Sequence, residues 1–416
     1  MFRVVYQAVF GCLFIFSAFL IPIIKGFSRR IRDGLKNYLG FLPVLFSGNT
    51  VWFHSVSLGE SLVSFSVAET LKERFPELIL TFTSTHPDCL KLAKKKNFFS
   101  ASAYLPLDFF PFLTKALNNW KPRLVLISET DFWPEFIWQC KHRGIPVFLI
   151  NGRISTKHEK AFSSFRSLGE NVFDSFQLLM VQRDEDRKRL INMGASPSKI
   201  VISGNIKADI KIKIDNTVLD EMKRWVGNSK IMVIGSLHPM ELEILFQSLI
   251  RLIQNYGLKI IIAPREIKNA EIWYRKFSEN GIMCVLRTSL SDDRAGQVMI
   301  LNTVGELASI YSLADFAFIG GTLSREVGGH NPFEILYFGK PLMMGPFSRN
   351  FNDLAVSLQD LGACLTVSNS EEFEKNVCRL ISDDSFAQKI GLAGKSVFSA
   401  NRGAMQKTLE EISKII

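Results

Sequence analysis

The chain has 416 residues, of which 47% are hydrophobic and 22% charged, and this balance excludes a disordered or collagen-like protein. The length suits two to three domains of about 150 residues each, large enough to fold without disulfides or structural metal. Fifty Lys+Arg against 40 Asp+Glu leave a formal charge of +10, which points to an anionic partner: nucleic acid, a nucleotide or an anionic membrane. A mean hydropathy of +0.13 and 35 Phe residues add an expectation of contact with lipid. The six cysteines, at positions 12, 89, 140, 284, 364 and 378, show neither CxxC nor zinc-ligand spacing, and read as core thiols in a reducing compartment.

In chain order, the first feature is an apolar run from Val4 to Ile24, interrupted only by Gln7, Ser17 and Pro22. As a helix rising 1.5 Å per residue it would match a hydrocarbon core of about 30 Å. Lys25, Arg29, Arg30, Arg32 and Lys36 follow it, so the heavier charge lies after the run. A cleavable signal peptide carries its charge before the run, so a retained anchor is expected, with the rest of the chain on the cytoplasmic face of the inner membrane. The alternative is a helix lying in the interface while the basic flank grips anionic lipid.

Beyond residue 45, short continuous apolar runs alternate with amphipathic stretches. Val51–Ser57, Leu78–Ser84, Leu124–Ser128, Val147–Ile150, Leu178–Gln182 and Val201–Ser203 read as strands, separated by helices such as Leu62–Arg74, Pro134–Arg143 and Glu185–Met193. A second series begins with Ile231–Gly235 and continues through Lys259–Ala263, Gln297–Leu301, Phe316–Gly320 and Pro341–Met344. Continuous rather than alternating apolar strands imply sheets covered on both faces, and the βαβα order implies parallel pairing. The expected fold is α/β: two doubly wound, Rossmann-like domains facing a cleft, behind an N-terminal anchor helix. Residues 1–36 form the anchor and its basic flank, 37–215 the first domain, and 216–416 the second with the C-terminal helices. The polar stretch Ala208–Gly227 is the expected hinge.

Ligands in such sheets lie beyond the carboxyl ends of the strands, so the loops there are the place for chemistry. His54-Ser-Val-Ser-Leu-Gly-Glu60 ends a strand, turns at Gly59 and places Glu60 in the first turn of a helix. Glu60 suits either the helix dipole or general-base work. Ser128-Glu-Thr-Asp-Phe-Trp-Pro134 puts two acids after a strand; Asp131 reads as a cap for the helix started by Pro134, whereas Glu129 is harder to explain structurally. Lys207 follows a Gly-Asn turn and reads as a clamp for negative charge or a surface lysine. In the second half, Pro264-Arg265 ends a strand with a cation suited to phosphate or carboxylate. Gly305-Glu306-Leu307 opens a helix, and Gly320-Gly-Thr322 leads to Gly328-Gly-His-Asn-Pro-Phe-Glu334. Those glycines permit close approach of backbone to a ligand, and the helix that follows points its N-terminus toward it. The spacing is neither a Walker loop nor GxGxxG.

Taken together and in order, these segments resemble the 3-deoxy-D-manno-octulosonic acid (Kdo) transferases of lipopolysaccharide assembly. The resemblance is carried by HSVSLGE (His54–Glu60), LPLD (Leu105–Asp108), SETDFWPE (Ser128–Glu135), INGRIS (Ile150–Ser155) and GNIKAD (Gly204–Asp209). It continues in GSLHPMELE (Gly235–Glu243), PRE (Pro264–Glu266), VGEL (Val304–Leu307), GGT through GGHNPFE (Gly320–Glu334) and GPFSRNF (Gly345–Phe351).

The resemblance implies a GT-B glycosyltransferase with an acceptor domain followed by a CMP-Kdo domain, acting on a lipid A precursor. By position it makes Glu60 the general base, and Glu129 and Lys207 transition-state stabilisers. Pro264, Arg265, Gly305, Glu306, Leu307, Asn331, Pro332, Phe333 and Glu334 become the CMP site. The family usually has Glu at position 131, His at 266 and Asp at 302, where this chain has Asp131, Glu266 and Asn302. No cofactor and no metal are expected. A GT-B transferase using a UDP-sugar is the alternative. A nucleic-acid binder is disfavoured because the clearest basic cluster, Lys25–Lys36, adjoins the apolar run.

Overall fold

The computed structural model describes the whole chain except residues 1, 19–28, 44–47, 164–165, 210, 211, 213 and 291–295. The chain divides into two compact units: unit 1 comprises Met1–Ile210 and Arg402–Ile416, and unit 2 comprises Lys211–Asn401.

Unit 1 is built on β1 (Thr50–His54), β2 (Ile79–Ser84), β3 (Phe99–Tyr104), β4 (Pro122–Ser128), β5 (Val147–Gly152), β6 (Leu178–Val181) and β7 (Ile200–Ile202). They form one sheet in the order β3-β2-β1-β4-β5-β6-β7, parallel throughout. All five residues of β1 are buried, as continuous apolar strands covered by helices on both faces require. The order reverses between β1 and β4, so the crevice for a ligand lies at the carboxyl ends of those two strands.

Unit 2 repeats the plan with β8 (Ile231–Leu237), β9 (Lys259–Pro264), β10 (Cys284–Leu286), β11 (Val298–Ile300), β12 (Phe316–Ile319), β13 (Leu342–Met344) and β14 (Leu365–Thr366). Its order is β10-β11-β9-β8-β12-β13-β14, again all parallel. The reversal falls between β8 and β12. β3, β10 and β14 lie at sheet edges and escape a search for continuous apolar runs. Phe99–Tyr104 (FSASAY) is interrupted by small polar residues, and the other two are short.

The domain boundaries differ from expectation at the C-terminus. The last helix, Ala404–Ser413, belongs to unit 1, not to the second domain. Asp209 explains the return, because its carboxylate accepts the Gly403 and Met405 N–H groups at 2.8 Å each. Leu409 and Ile412 then join the core around Val51 and Leu80.

The expected spanning helix over Val4–Ile24 finds no support among the described residues. The helix found is Phe2–Ala18, 17 residues, and the remainder of the run, with Lys25, lies outside the described residues. Among the described residues no helix is long and apolar enough to cross a membrane. One stripe of the Phe2–Ala18 helix is committed to unit 1. Arg3 makes a two-pronged ion pair with the buried Glu135 (2.6 and 2.9 Å), and Tyr6 donates to Asp108 (2.6 Å). Gln7 accepts the Phe110 N–H at 3.0 Å. These residues recur at helical spacing on one face. The opposite stripe, Val4, Val5 and Val9, is 53–72% exposed.

Candidate active site

Unit 1 brings Glu60, Glu129 and Lys207 to one edge of its sheet. Glu60 lies after β1 and Glu129 after β4, on either side of the strand-order reversal. Ser57 caps the helix Leu58–Arg74, and Glu60 completes a capping box: its Oε2 accepts the Val56 N–H (2.8 Å) and the Ser57 N–H (3.3 Å). Both readings of Glu60 therefore meet in one side chain. Burial raises its carboxyl above the ordinary value, against the Val56 hydrogen bond, and the charges of Glu129 and Asp131 raise it further.

Glu129 sits at φ +61°, a left-handed conformation that a side chain pays about 1–2 kcal/mol to adopt. Its N–H donates to the Ile150 carbonyl at 3.0 Å, and its Oε1 accepts from Lys207 Nζ at 2.8 Å and Asn151 Nδ2 at 3.3 Å. Lys207 is held by a short turn at Ile206–Ala208, in which Asn205 accepts the Lys207 N–H at 3.0 Å. A Cβ placed on Gly59 would lie 3.7 Å from Lys207 Nζ, so the ammonium also borders the Glu60 turn.

Asp131 is not the cap expected of it. The helix Pro134–His142 is capped from a distance by Asp108, whose carboxylate accepts the Glu135 N–H (3.0 Å) and Phe136 N–H (2.8 Å). Burial pushes Asp108 up to about 6, against those hydrogen bonds. Asp131 faces the buried His54 instead, with Oδ2 3.0 Å from Nε2, while the Trp133 N–H donates to the same nitrogen at 3.2 Å.

In unit 2, every residue expected at a nucleotide lies at or after the carboxyl end of a strand. Pro264 ends β9 and pairs with Leu237 at the end of β8; Arg265, exposed, donates its N–H to the Leu237 carbonyl at 2.9 Å. After β11, Gly305 turns at φ +95° and Leu307 starts the helix Leu307–Leu313. Glu306 is already engaged: Arg287 holds it through two nitrogens at 3.0 and 3.1 Å, and Thr303 donates at 2.5 Å. After β12, Asn331 Oδ1 accepts the Phe333 N–H at 3.0 Å, and Pro332 precedes the short helix Phe333–Tyr337. Phe333 packs edge-on against Phe398, and burial raises the Glu334 carboxyl above its ordinary value.

The buried Glu241 ties these loops together. It accepts N–H groups from His238 (3.1 Å) and Gly321 (2.7 Å) through Oε2, and from Leu323 (2.9 Å) through Oε1. Gly235 is as constrained, since a Cβ there would fall 1.6 Å from the Tyr311 hydroxyl, a buried group with no hydrogen-bond partner among the described residues.

Residues 33–210 match the family model described as 3-Deoxy-D-manno-octulosonic-acid transferase (kdotransferase). A 3-deoxy-D-manno-octulosonic acid transferase of Chlamydia muridarum is 30% identical over 394 residues, covering 93% of this chain and 90% of that one. The chain belongs to the Kdo transferase family. A second relative of that name, from Chlamydia trachomatis serovar D, is 29% identical over 412 residues, 97% of this chain and 95% of its own. The Kdo transferase fold also matches a UDP-GlcNAc 2-epimerase from Neisseria meningitidis at TM-score 0.61 and 15% identity, over 88% of this chain and 100% of that one. The chain is thus a glycosyltransferase with two parallel α/β sheets of the GT-B kind.

Sequence reasoning missed several residues that these strand-end loops bring together. Asn151, at φ +53°, links Glu129 to the Lys207 turn, because its Oδ1 accepts the Ile206 N–H at 2.9 Å. Its position at the end of a strand was the available signal. Asp108 and Glu241 look like surface acids in sequence, and only the fold shows which N–H groups they serve. His238 and His330 carried no recognisable spacing, being 92 positions apart.

Proposed function

We propose that this Kdo transferase moves Kdo from CMP-Kdo onto a lipid A precursor, with Glu60 as general base and no metal ion. The observation that supports it best is the convergence of Glu60 with the Glu129–Lys207 ion pair at the strand-order reversal of unit 1. Glu60 accepts the proton of the acceptor hydroxyl as its oxygen bonds to the anomeric carbon of Kdo. Its raised carboxyl suits that task, since a base works best when its affinity for protons approaches the operating pH. Glu129 and Lys207 hold a partly buried pair of opposite charges beside it, ready to respond to charge shifting in the transition state.

Unit 2 takes the donor. Arg265 and the helix starts at Leu307 and Phe333 suit a phosphate, and Glu334 suits ribose hydroxyls. Membrane association rests on the exposed stripe Val4, Val5 and Val9 of a helix whose other face is fixed to unit 1. This favours a helix lying in the interface, with the basic residues to Lys36 against anionic lipid on the cytoplasmic face.

Mass spectrometry of lipid A precursor incubated with CMP-Kdo and the protein tests the reading, with UDP-sugars as rival donors and a chelator in a parallel reaction. The expected product gains Kdo from CMP-Kdo alone, with chelator or without. Transfer from a UDP-sugar, or none from CMP-Kdo, would overturn the donor assignment; loss of activity with chelator would overturn metal independence.

A further inference from the structure

Unit 2 carries a pair of imidazoles at the centre of its strand ends. His238 directly follows β8, and the Leu237–Pro264 pairing places it beside Arg265 on the neighbouring strand end. His330 comes from the glycine-rich loop after β12, where its N–H donates to the Gly320 carbonyl at 3.3 Å. Gly321, at φ +76°, lets the ring in, since a Cβ there would meet His330 Cδ2 at 2.9 Å and Nε2 at 3.1 Å. The two rings lie parallel within 2°, with Nε2 facing Nε2 at 2.8 Å.

Two imidazole nitrogens at that separation hold one hydrogen between them: one ring donates and the other accepts. A further proton goes to the Nδ1 of the donating ring, so the pair as a whole is either neutral or singly positive. The groups around it decide which. His330 is pushed down to about 4, by burial first and then by the charge of Arg265 and by His238. The nearby carboxylates are committed: Glu241 to the His238, Gly321 and Leu323 N–H groups, and Glu266 to Lys268 at 2.5 Å. Burial beside Arg265 therefore disfavours a proton on His330, and an arriving anion would favour one there.

We infer that His238 and His330 form the proton-carrying part of the donor-phosphate site, taking up one proton when CMP-Kdo binds and returning it to the phosphate as the sugar leaves. The inference rests on the donor assignment proposed above. In the step, the bond between the anomeric carbon and the phosphate oxygen breaks, and its electron pair stays on that oxygen. The imidazolium proton moves to the phosphate, leaving the pair neutral and CMP singly protonated. The acceptor oxygen forms the new bond and its proton passes to Glu60.

Titration calorimetry of the full chain with CMP, at about pH 7.5 in Tris and in HEPES, separates bound heat from buffer protonation and counts protons. The expected uptake is about one proton for the native protein and none with cytidine, which lacks the phosphate. His330→Gln and His238→Gln should abolish the uptake and weaken CMP on the order of tenfold, while thermal unfolding and cytidine binding report whether each remains folded. With CMP-Kdo, the alkaline limb of the turnover profile should move to lower pH or vanish in both variants. CMP binding without proton uptake in the native protein would overturn the inference and leave the donor assignment standing, as would unchanged uptake in folded variants. Failure of the native protein to bind CMP would instead remove the donor assignment, and the inference with it.

Discussion

In unit 1 the candidate groups are charged side chains that hold one another: Lys207 on Glu129 at 2.8 Å, Asn151 on Glu129 at 3.3 Å, and Glu60 on the turn that starts its own helix. In unit 2 the corresponding strand ends are lined by backbone and rings. Glycines turn at φ +95° (Gly305), +76° (Gly321) and +86° (Gly329), Arg265 is exposed, and two histidines face each other. The backbone strain is distributed accordingly. Unit 1 places Glu129 (φ +61°) and Asn151 (φ +53°) in the left-handed region, where unit 2 mostly uses glycine, with Ser236 (φ +54°) as an exception. A network already paired in itself suits electrostatic work on a reaction, because its groups need not reorganise. An open, glycine-lined edge suits the approach of a nucleotide phosphate to backbone N–H groups. The difference separates a site for chemistry from a site for binding, and substitutions can test that separation.

The largest effect is expected in unit 1. Glu60→Gln keeps an oxygen for the Val56 and Ser57 N–H groups but removes the base, so turnover should fall ~10²–10⁴-fold. CMP affinity, measured by calorimetry, should stay at the native value. A variant that turns over at the native rate would leave Glu60 as a capping residue and nothing more. Next come Arg265→Ala and Glu334→Ala, which should each weaken CMP on the order of tenfold while leaving turnover at saturating donor comparatively intact. Equal losses in turnover and affinity from both units would break the division of labour.

How much of this was legible in sequence depended on whether a residue's role is local. Glu60 is a first-turn acid three residues after Ser57, so both its position and its capping box follow from spacing, and βαβα alternation leads directly to two parallel sheets. Strand order does not follow from alternation. That Glu60 and Glu129 flank the same reversal depends on β1 pairing with β4 across more than 70 residues, a fact of topology. Asp108 defeated local reasoning for the same reason: it caps a helix beginning 26 positions later, so the neighbouring Asp131 looked like the cap. The apolar run at the N-terminus shows a further limit of local reading. Hydropathy registers Val4, Val5 and Val9 but not that Arg3 and Tyr6, on the other face, have buried carboxylates waiting in unit 1.

A third test concerns pH. Glu60 is raised by burial and, secondarily, by the charges of Glu129 and Asp131. A base must be deprotonated to act, so kcat/KM should fall as pH drops through that raised value. Glu129→Gln removes a negative neighbour and leaves Lys207 without its 2.8 Å partner. Both changes favour ionised Glu60, so the acid limb should move to lower pH. A limb that stays fixed while turnover falls would separate Glu129 from Glu60 electrostatically and confine it to holding Lys207.

The smallest effect bears on strain, and it should have opposite signs in the two units. Glu129→Gly and Glu129→Ala both lose the side-chain bonds to Lys207 and Asn151, so their difference isolates the backbone at φ +61°. Releasing the left-handed penalty gains about 1–2 kcal/mol, while the extra freedom of glycine in the unfolded chain returns about 0.5–1 kcal/mol. Glu129→Gly should therefore be the more stable of the two by roughly 0.5–1 kcal/mol, read from urea midpoints at equal m-values. In unit 2 the corresponding exchange runs the other way. Gly321→Ala adds a Cβ at φ +76° that meets His330 Cδ2 at 2.9 Å, so strain and overlap add and the protein should lose on the order of 2 kcal/mol. If Glu129→Gly is instead the less stable of its pair, the conformation at Glu129 is not a strained one held in place for the reaction. The contrast between a unit that spends stability on charged side chains and one that avoids the expense with glycine then fails at its first term.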